Sequence, residues 1–265
     1  MAVRRLLAFL LLMLLAPWAR AQMPASECLA MAEAPSLIRP VRYVETALEA
    51  SEVRFTFVGH STFLIESPGG VRIATDYSGD ANGIVPDVVT MNRAHSTHYT
   101  DFPDPQIKHV LRGWNPEGGP ARHDLQVGDV RIRNVTTDIR GGALGRVPDG
   151  NSIFIFEIAG LCIGHLGHLH HELSPEQIGA IGRLDIVLVP VDGTYTMAQA
   201  NMLNVLNDLK ARIVLPMHYF SPQTLSRFIN GLSGSLDVDY QAEPTVILSA
   251  GKLPERPKLI VLPGY

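Results

Sequence analysis

Histidines stand at the ends of predicted strands in three separated places: His95 and His98 in MNRAHSTHYTD, His165 and His168 in IGHLGHLHHE, and His218 in LPMHYF. Imidazole is the commonest protein ligand for zinc and related ions, and three imidazoles plus a water make a tetrahedral centre with one position open for chemistry. The spacing within each group is too short for a zinc finger, and the separation between groups too long. The fold must therefore bring the groups together at one edge of a sheet, which points to a catalytic site.

The runs between the histidines say which sheet. RFTFV (54–58), TFLIE (62–66) and VRIAT (71–75) are short and β-rich, separated by Gly59 and by Pro68-Gly69-Gly70, the marks of an antiparallel meander. Strands are expected again at 87–91, 108–112, 129–135, 152–158 and 161–166. DVRIRNV alternates as a half-exposed strand does, whereas SIFIFEI is nearly continuous and predicts a central strand buried on both faces. The second half alternates strands (185–191, 212–217) with helices starting at Ser174, at Thr196 (to about Lys210) and at Ser221. Ser174-Pro175-Glu176-Gln177 reads as a capping box with proline at N1, and Thr196-Met197-Ala198-Gln199 repeats the box without it. Strands at 246–249 and 258–262 close the chain. Strands first and strand–helix alternation afterwards fit an α/β fold, a four-layer αββα sandwich.

Residues 1–21 read as a secretory signal: Arg4 and Arg5 precede the apolar run Leu6 to Leu15, and Ala19-Arg20-Ala21 offers cleavage before Gln22. The run is too short to span a bilayer, so no stable membrane span is expected after cleavage, and the protein should be exported, periplasmic or secreted. Residues 22–50 read as an N-terminal arm and 51–265 as one domain. Losing three arginines with the signal moves the formal net charge from −4 to about −7, which argues against a nucleic-acid partner. The partner expected of a catalytic site is a small-molecule substrate. Cys28 and Cys162 could pair in an exported protein, but a buried free thiol at Cys162 is an equal reading.

Gly59-His60-Ser61, Asp76 at the end of the third strand, His95-Ser-Thr-His98, Gly167-His168 and Pro216-Met217-His218-Tyr219 together resemble the metallo-β-lactamase superfamily, from about residue 53 to 250. Within it the chain is similar to the branch that contains L-ascorbate-6-phosphate lactonase and N-acyl phosphatidylethanolamine phospholipase D. The resemblance implies the αββα sandwich, a metal pair at its top edge and hydrolase activity. The motifs are altered, however. The superfamily's His-x-His-x-Asp-His reads Arg93-Ala94-His95-Ser96-Thr97-His98, and the Gly-Asp that supplies a bridging carboxylate reads Gly167-His168.

Sorted by site, the first metal position keeps His95 with Asp138 as a helper, while the second holds His98, His168 and His218. One zinc ion per chain follows, since loss of a dication matches loss of two carboxylates and Arg93 places a fixed cation near the vacated position. His165 is either a further ligand or a satisfied core histidine. His60 and Asp76, like Asp138, are expected to orient ligands, His170 and His171 to face solvent. The expected function is an exported metal-dependent hydrolase in which metal-bound hydroxide attacks an ester, lactone or phosphodiester. His95 would move protons and Arg93 stabilise developing negative charge. The alternative is a non-catalytic metal- or ligand-binding protein on the same fold.

Overall fold

The computed structural model describes residues 23, 25–29, 48–141, 145–232 and 234–264. The signal expected at residues 1–21 and most of the arm expected at 22–50 lie outside the described residues.

The first half forms β1 (Glu52–Gly59), β2 (Thr62–Glu66), β3 (Arg72–Ala74), β4 (Val88–Met91) and β5 (His109–Arg112). They make a six-stranded sheet in the order β13-β1-β2-β3-β4-β5, with β13 at Thr245–Ser249. β1, β2 and β3 pair antiparallel, the meander expected from the turn residues, and β3-β4-β5 run parallel. An eight-stranded sheet contains β6 (Asp124–Val127), β7 (Val130–Arg140), β8 (Arg146–Ile158), β9 (Leu161–His165), β10 (Ile186–Pro190), β11 (Ile213–Met217), β12 (Asp237–Tyr240) and β14 (Lys258–Val261). Its order is β12-β14-β11-β10-β9-β8-β7-β6. β9, β10, β11, β14 and β12 are parallel.

The two sheets pack face to face through one apolar core. Val53, Phe55 and Phe57 alternate inward from β1 and join Val130, Ile132, Phe154 and Phe156 of the other sheet. β1 thus buries one side chain in two, the period set by the pleat. Helices α1 (Pro175–Ile181), α2 (Gln199–Leu209) and α3 (Pro222–Gly231) lie in the connections of the eight-stranded sheet. The outer face of the six-stranded sheet is covered by loops: Tyr77, Ala81, Tyr99, Ile107 and Trp114 pack in one cluster with Ala74, Val89 and Met91. No helix among the described residues comes from that half, so the sandwich is α/β with its helices drawn from the second half of the chain.

Two of the three helix starts follow the sequence. Ser174 accepts from Gln177 N while the Gln177 side chain accepts from the Ser174 N–H, and Ser221 caps α3 by accepting from Thr224 N. The box at Thr196 does not form: α2 begins at Gln199 with Ala198 as an uncapped start, because the Thr196 hydroxyl donates to Asp192 instead. Strands β6 and β12, both largely exposed, were not signalled by apolar runs.

The arm does reach the domain. Cys28 and Cys162 are joined in a disulfide with Cα atoms 5.8 Å apart, which decides between bridge and free thiol. Ser26 donates to Glu157 Oε1 at 2.5 Å, and Arg183 N donates to Cys28 O at 3.0 Å. Gly182, at φ 74, lets the strap close, since a Cβ there would stand 2.5 Å from Cys28 O.

SIFIFEI lies between β7 and β9, and Ile153, Phe154, Ile155 and Phe156 are all fully buried. Phe154→Ala should therefore cost about 3–5 kcal/mol, read as a shift in the urea unfolding midpoint.

Candidate metal centre

The histidines gather where strands of both sheets end, the edge at which open α/β sheets usually bind ligands. His60 follows β1, Asp76 follows β3, His98 lies in the turn after β4, His168 follows β9, Asp192 follows β10 and His218 follows β11. His60 (φ 52), Asp76 (φ 40) and His218 (φ 53) all adopt positive φ, where side chains other than glycine are strained, so backbone strain concentrates here. The two strained histidines are tied together: His218 N donates to His60 O at 2.6 Å.

Four imidazoles converge. Ring centroids of His60 and His218 are 4.2 Å apart, of His60 and His98 5.0 Å, and of His98 and His218 5.1 Å. His168 stands 4.8 Å from His98 and 4.9 Å from His218, nearly perpendicular to both. The Nε2 atoms of His60, His98, His168 and His218 are buried without a hydrogen-bond partner, as is Nδ1 of His168. One donor atom from each of His60, His98 and His218 lies within 4.8 Å of the others.

Two carboxylates stand behind this cluster. His98 Nδ1 donates to Asp76 Oδ2 at 2.7 Å, which leaves the Nε2 lone pair facing its neighbours. Asn92 holds Asp76 in place by donating to Oδ1 at 2.8 Å and is itself fixed by Ser152 N. On the other side Asp192 Oδ1 lies 3.0 Å from His218 Nδ1, out of line for a full hydrogen bond. Its carboxylate also accepts from the backbone N–H groups of Thr194, Tyr195 and Thr196. Burial pushes the Asp192 carboxyl up, but the contacts with His218 and Thr196 outweigh it and hold the group well below the usual carboxylate range. Burial, then His218 and His98, lower His60 to about 4, and burial likewise depresses His168. The cluster is thus a set of imidazoles whose unpartnered Nε2 atoms are buried close together, the donor set that suits zinc and related cations.

The structure brings together three of the expected ligands, His98, His168 and His218, and adds a fourth imidazole. His60, expected to orient a ligand, stands among the converging rings with its Nε2 unpartnered. His165 does not: Nε2 donates to Ser61 O at 3.0 Å and Nδ1 accepts from Gly167 N at 3.1 Å, so both nitrogens are spent on backbone and it is a satisfied core histidine. Asp138 is also displaced. It accepts from Asp149 N at 3.2 Å and Arg146 at 3.4 Å within the β7–β8 hairpin, because that hairpin extends beyond the expected strand ends. His95 is exposed at the rim, its ring 4.9 Å from His168, and Arg93 lies exposed on the same turn. His170 and His171 are half-buried rather than solvent-facing. His170 Nε2 donates to Tyr195 O and Nδ1 accepts from Arg140 N. Asp192 was missed by sequence reasoning. Its only signal is an acid placed directly after a buried strand and ahead of Gly-Thr-Tyr-Thr, a turn-capping pattern.

Comparison with known proteins agrees with this geometry. Residues 54–218 match the family described as "Beta-lactamase superfamily domain". A UPF0173 metal-dependent hydrolase of Archaeoglobus fulgidus is 25% identical over 199 residues, spanning 63% of this chain and 83% of the relative. Another, of Opitutus terrae, is 27% identical over 195 residues, spanning 64% and 86%. A Thermotoga maritima structure described as a Zn-dependent hydrolase of the metallo-β-lactamase superfamily superposes with a TM-score of 0.58 at 29% identity, over 79% of this chain and 97% of that one. The chain belongs to the β-lactamase superfamily, in the metallo-β-lactamase fold that it shares with these metal-dependent hydrolases.

Proposed function

We propose that this metal-dependent hydrolase is exported and cleaves an ester, lactone or phosphodiester bond at one zinc ion per chain, held by His60, His98 and His218. The observation that carries the reading is the convergence of their buried, unpartnered Nε2 atoms, two of the rings being backed by Asp76 and Asp192. With His60, His98 and His218 as the residues that would hold the ion, His168, buried and unpartnered against His98 and His218, would be left to face the reacting group. A bound dication would supply the Lewis acid that activates water and polarises the scissile group. The chain's own residues do the rest. Asp76 keeps the proton of His98 on Nδ1, Asp192 orients His218, and exposed His95 at the rim can carry a proton between the site and solvent. Arg93, on the same turn and without an ion pair among the described residues, is free to reach developing negative charge.

Gly59-His60-Ser61 supports placing the chain near the branch that contains L-ascorbate-6-phosphate lactonase and N-acyl phosphatidylethanolamine phospholipase D. Export is supported by the arginine, apolar and Ala-x-Ala layout of residues 1–21 and by the Cys28–Cys162 disulfide, a bond that persists in oxidising compartments. No helix among the described residues is long and apolar enough to cross a membrane. A binding protein on the same fold is the second reading, favoured by the loss of carboxylates at Thr97 and His168. Hydrolysis of generic ester, lactone and phosphodiester substrates, abolished by a chelator and restored by zinc, separates the two. Metal binding without turnover of any of them would favour the second.

Elemental analysis of the purified protein should find one ion per chain, and His218→Ala should lose both metal and activity. Two ions per wild-type chain would overturn the single site. Asp192→Asn should weaken metal affinity about 10- to 100-fold in a competitive chelator titration. Acid should also destabilise the metal-free protein. Unfolded histidines protonate near 6.5 while folded His60 resists down to about 4, so below 6.5 the unfolded state binds more protons. Stability is then complete above pH 6.5 and falls from 6.5 toward 4, read as a lower urea midpoint at pH 5 than at pH 7.5.

A further inference from the structure

Two large aromatic side chains stand in solvent at the mouth of the histidine cluster. Tyr195 is 57% exposed and Phe220 is 54% exposed, with their rings 5.5 Å apart edge to face. Phe220 lies 5.3 Å from His218 and 5.7 Å from His60, and Tyr195 lies 5.9 Å from His95. An isolated exposed apolar side chain means little. These two differ because the backbone beneath them is held fast. Tyr195 N donates to Asp192 Oδ2 at 2.5 Å, and Tyr195 O accepts from His170 Nε2 at 2.8 Å and from the Arg140 guanidinium. Phe220 follows Tyr219, whose ring is buried against Phe57 and whose hydroxyl donates to Gly264 O at 3.1 Å. Rigid placement of exposed rings beside a reactive centre is how binding surfaces lower their ordering cost.

A cavity of about 230 Å³ adjoins Tyr195, lined besides by Ala94, His95, Ile139, Arg140, His170 and Thr194. That is below the ~300–1,000 Å³ typical of pockets for drug-sized ligands, so its occupant is a single ring or a short alkyl group. The cations that line it are directed elsewhere. Arg140 Nη2 donates to the carbonyls of Thr194, Tyr195 and Thr196, and both ring nitrogens of His170 are bonded. With Arg140 and His170 committed to backbone, the rings of Tyr195 and Phe220, with the Ile139 side chain, are the apolar surface open to a ligand, and His95 is the polar group left beside them.

Building on the hydrolase reading above, we infer that the substrates are neutral carboxylic esters or lactones bearing a compact aromatic or apolar group, which seats against Tyr195 and Phe220 with the carbonyl over the histidine cluster. In the reaction the oxygen of water bonds to the acyl carbon as the acyl C–O bond breaks. One water proton leaves with the alkoxide as alcohol, and the carboxylic acid formed releases its proton to solvent. Tyr195 and Phe220 bind and position; neither touches the reacting atoms.

The test uses the metal-loaded wild type with Phe220→Ala, Tyr195→Ala and Tyr195→Phe. Phenylacetamide, acetamide and diphenyl phosphate are titrated calorimetrically, and phenyl acetate, methyl acetate and bis(p-nitrophenyl) phosphate serve as substrates. The expected result is binding of phenylacetamide in preference to acetamide and diphenyl phosphate, weakened at least fivefold by either alanine and retained by Tyr195→Phe. KM for phenyl acetate should rise with kcat little changed, at full metal content. Unchanged phenylacetamide binding in both alanine variants, or preference for the phosphate compounds, would overturn the inference. Binding is read whether or not turnover is seen. Loss of all hydrolysis with phenylacetamide still bound would defeat the hydrolase reading alone, whereas ester hydrolysis indifferent to the ring and to both variants would defeat this inference alone.

Discussion

Burying an imidazole nitrogen with nothing to bond costs about 1–3 kcal/mol, and this chain does so repeatedly within one small volume. Nε2 of His60, His98, His168 and His218 all lack partners. His165, the last residue of β9, shows what the same side chain does when its role is structural: both nitrogens are bonded to backbone. The contrast between His165 and His98, whose Nε2 has no partner, separates packing from the proposed ligation more clearly than burial does, since both are fully buried.

The surrounding structure exists to hold those lone pairs at one point. Asp76 and Asp192 fix two rings from behind, and each is fixed in turn, Asp76 by Asn92 and Asp192 by three backbone N–H groups. Asn151 accepts from His168 N at 2.7 Å and donates to Leu166 O, setting the turn that carries His168. Gly167 packs against both amides. A Cβ there would stand 2.4 Å from Asn92 Nδ2 and 2.5 Å from Asn151 Oδ1, at φ 59, so glycine is required on two grounds. The positive φ of His60, Asp76 and His218 adds about 1–3 kcal/mol of strain at each, offset by the sandwich core beneath.

Much of the fold was legible because the strands that matter are buried and therefore written as β-branched and aromatic runs. TFLIE coincides with β2, and SIFIFEI takes its central place. β6 and β12, at the exposed margins of the eight-stranded sheet, carry no apolar run to read. At the site, the histidine pattern identified the edge but not every role. His60 and Asp192 could not be ranked from spacing, because what distinguishes them is which ring nitrogen or carboxylate oxygen faces the cluster. Thr196 shows a site overriding local propensity: its hydroxyl could cap α2, yet it bonds Asp192, and the helix starts three residues late. Cys28 and Cys162 are 134 residues apart, a pairing that only the docking of the arm against Glu157 and Arg183 reveals.

The central claim is that the imidazoles of His60, His98 and His218 ligate one ion, and X-ray absorption at the edge of the bound metal tests it most directly. The account predicts a nitrogen shell at about 2.0–2.1 Å with the multiple scattering of at least three imidazoles, falling by one in His60→Ala. A shell dominated by carboxylate oxygens, or an imidazole count unchanged by His60→Ala, would contradict it.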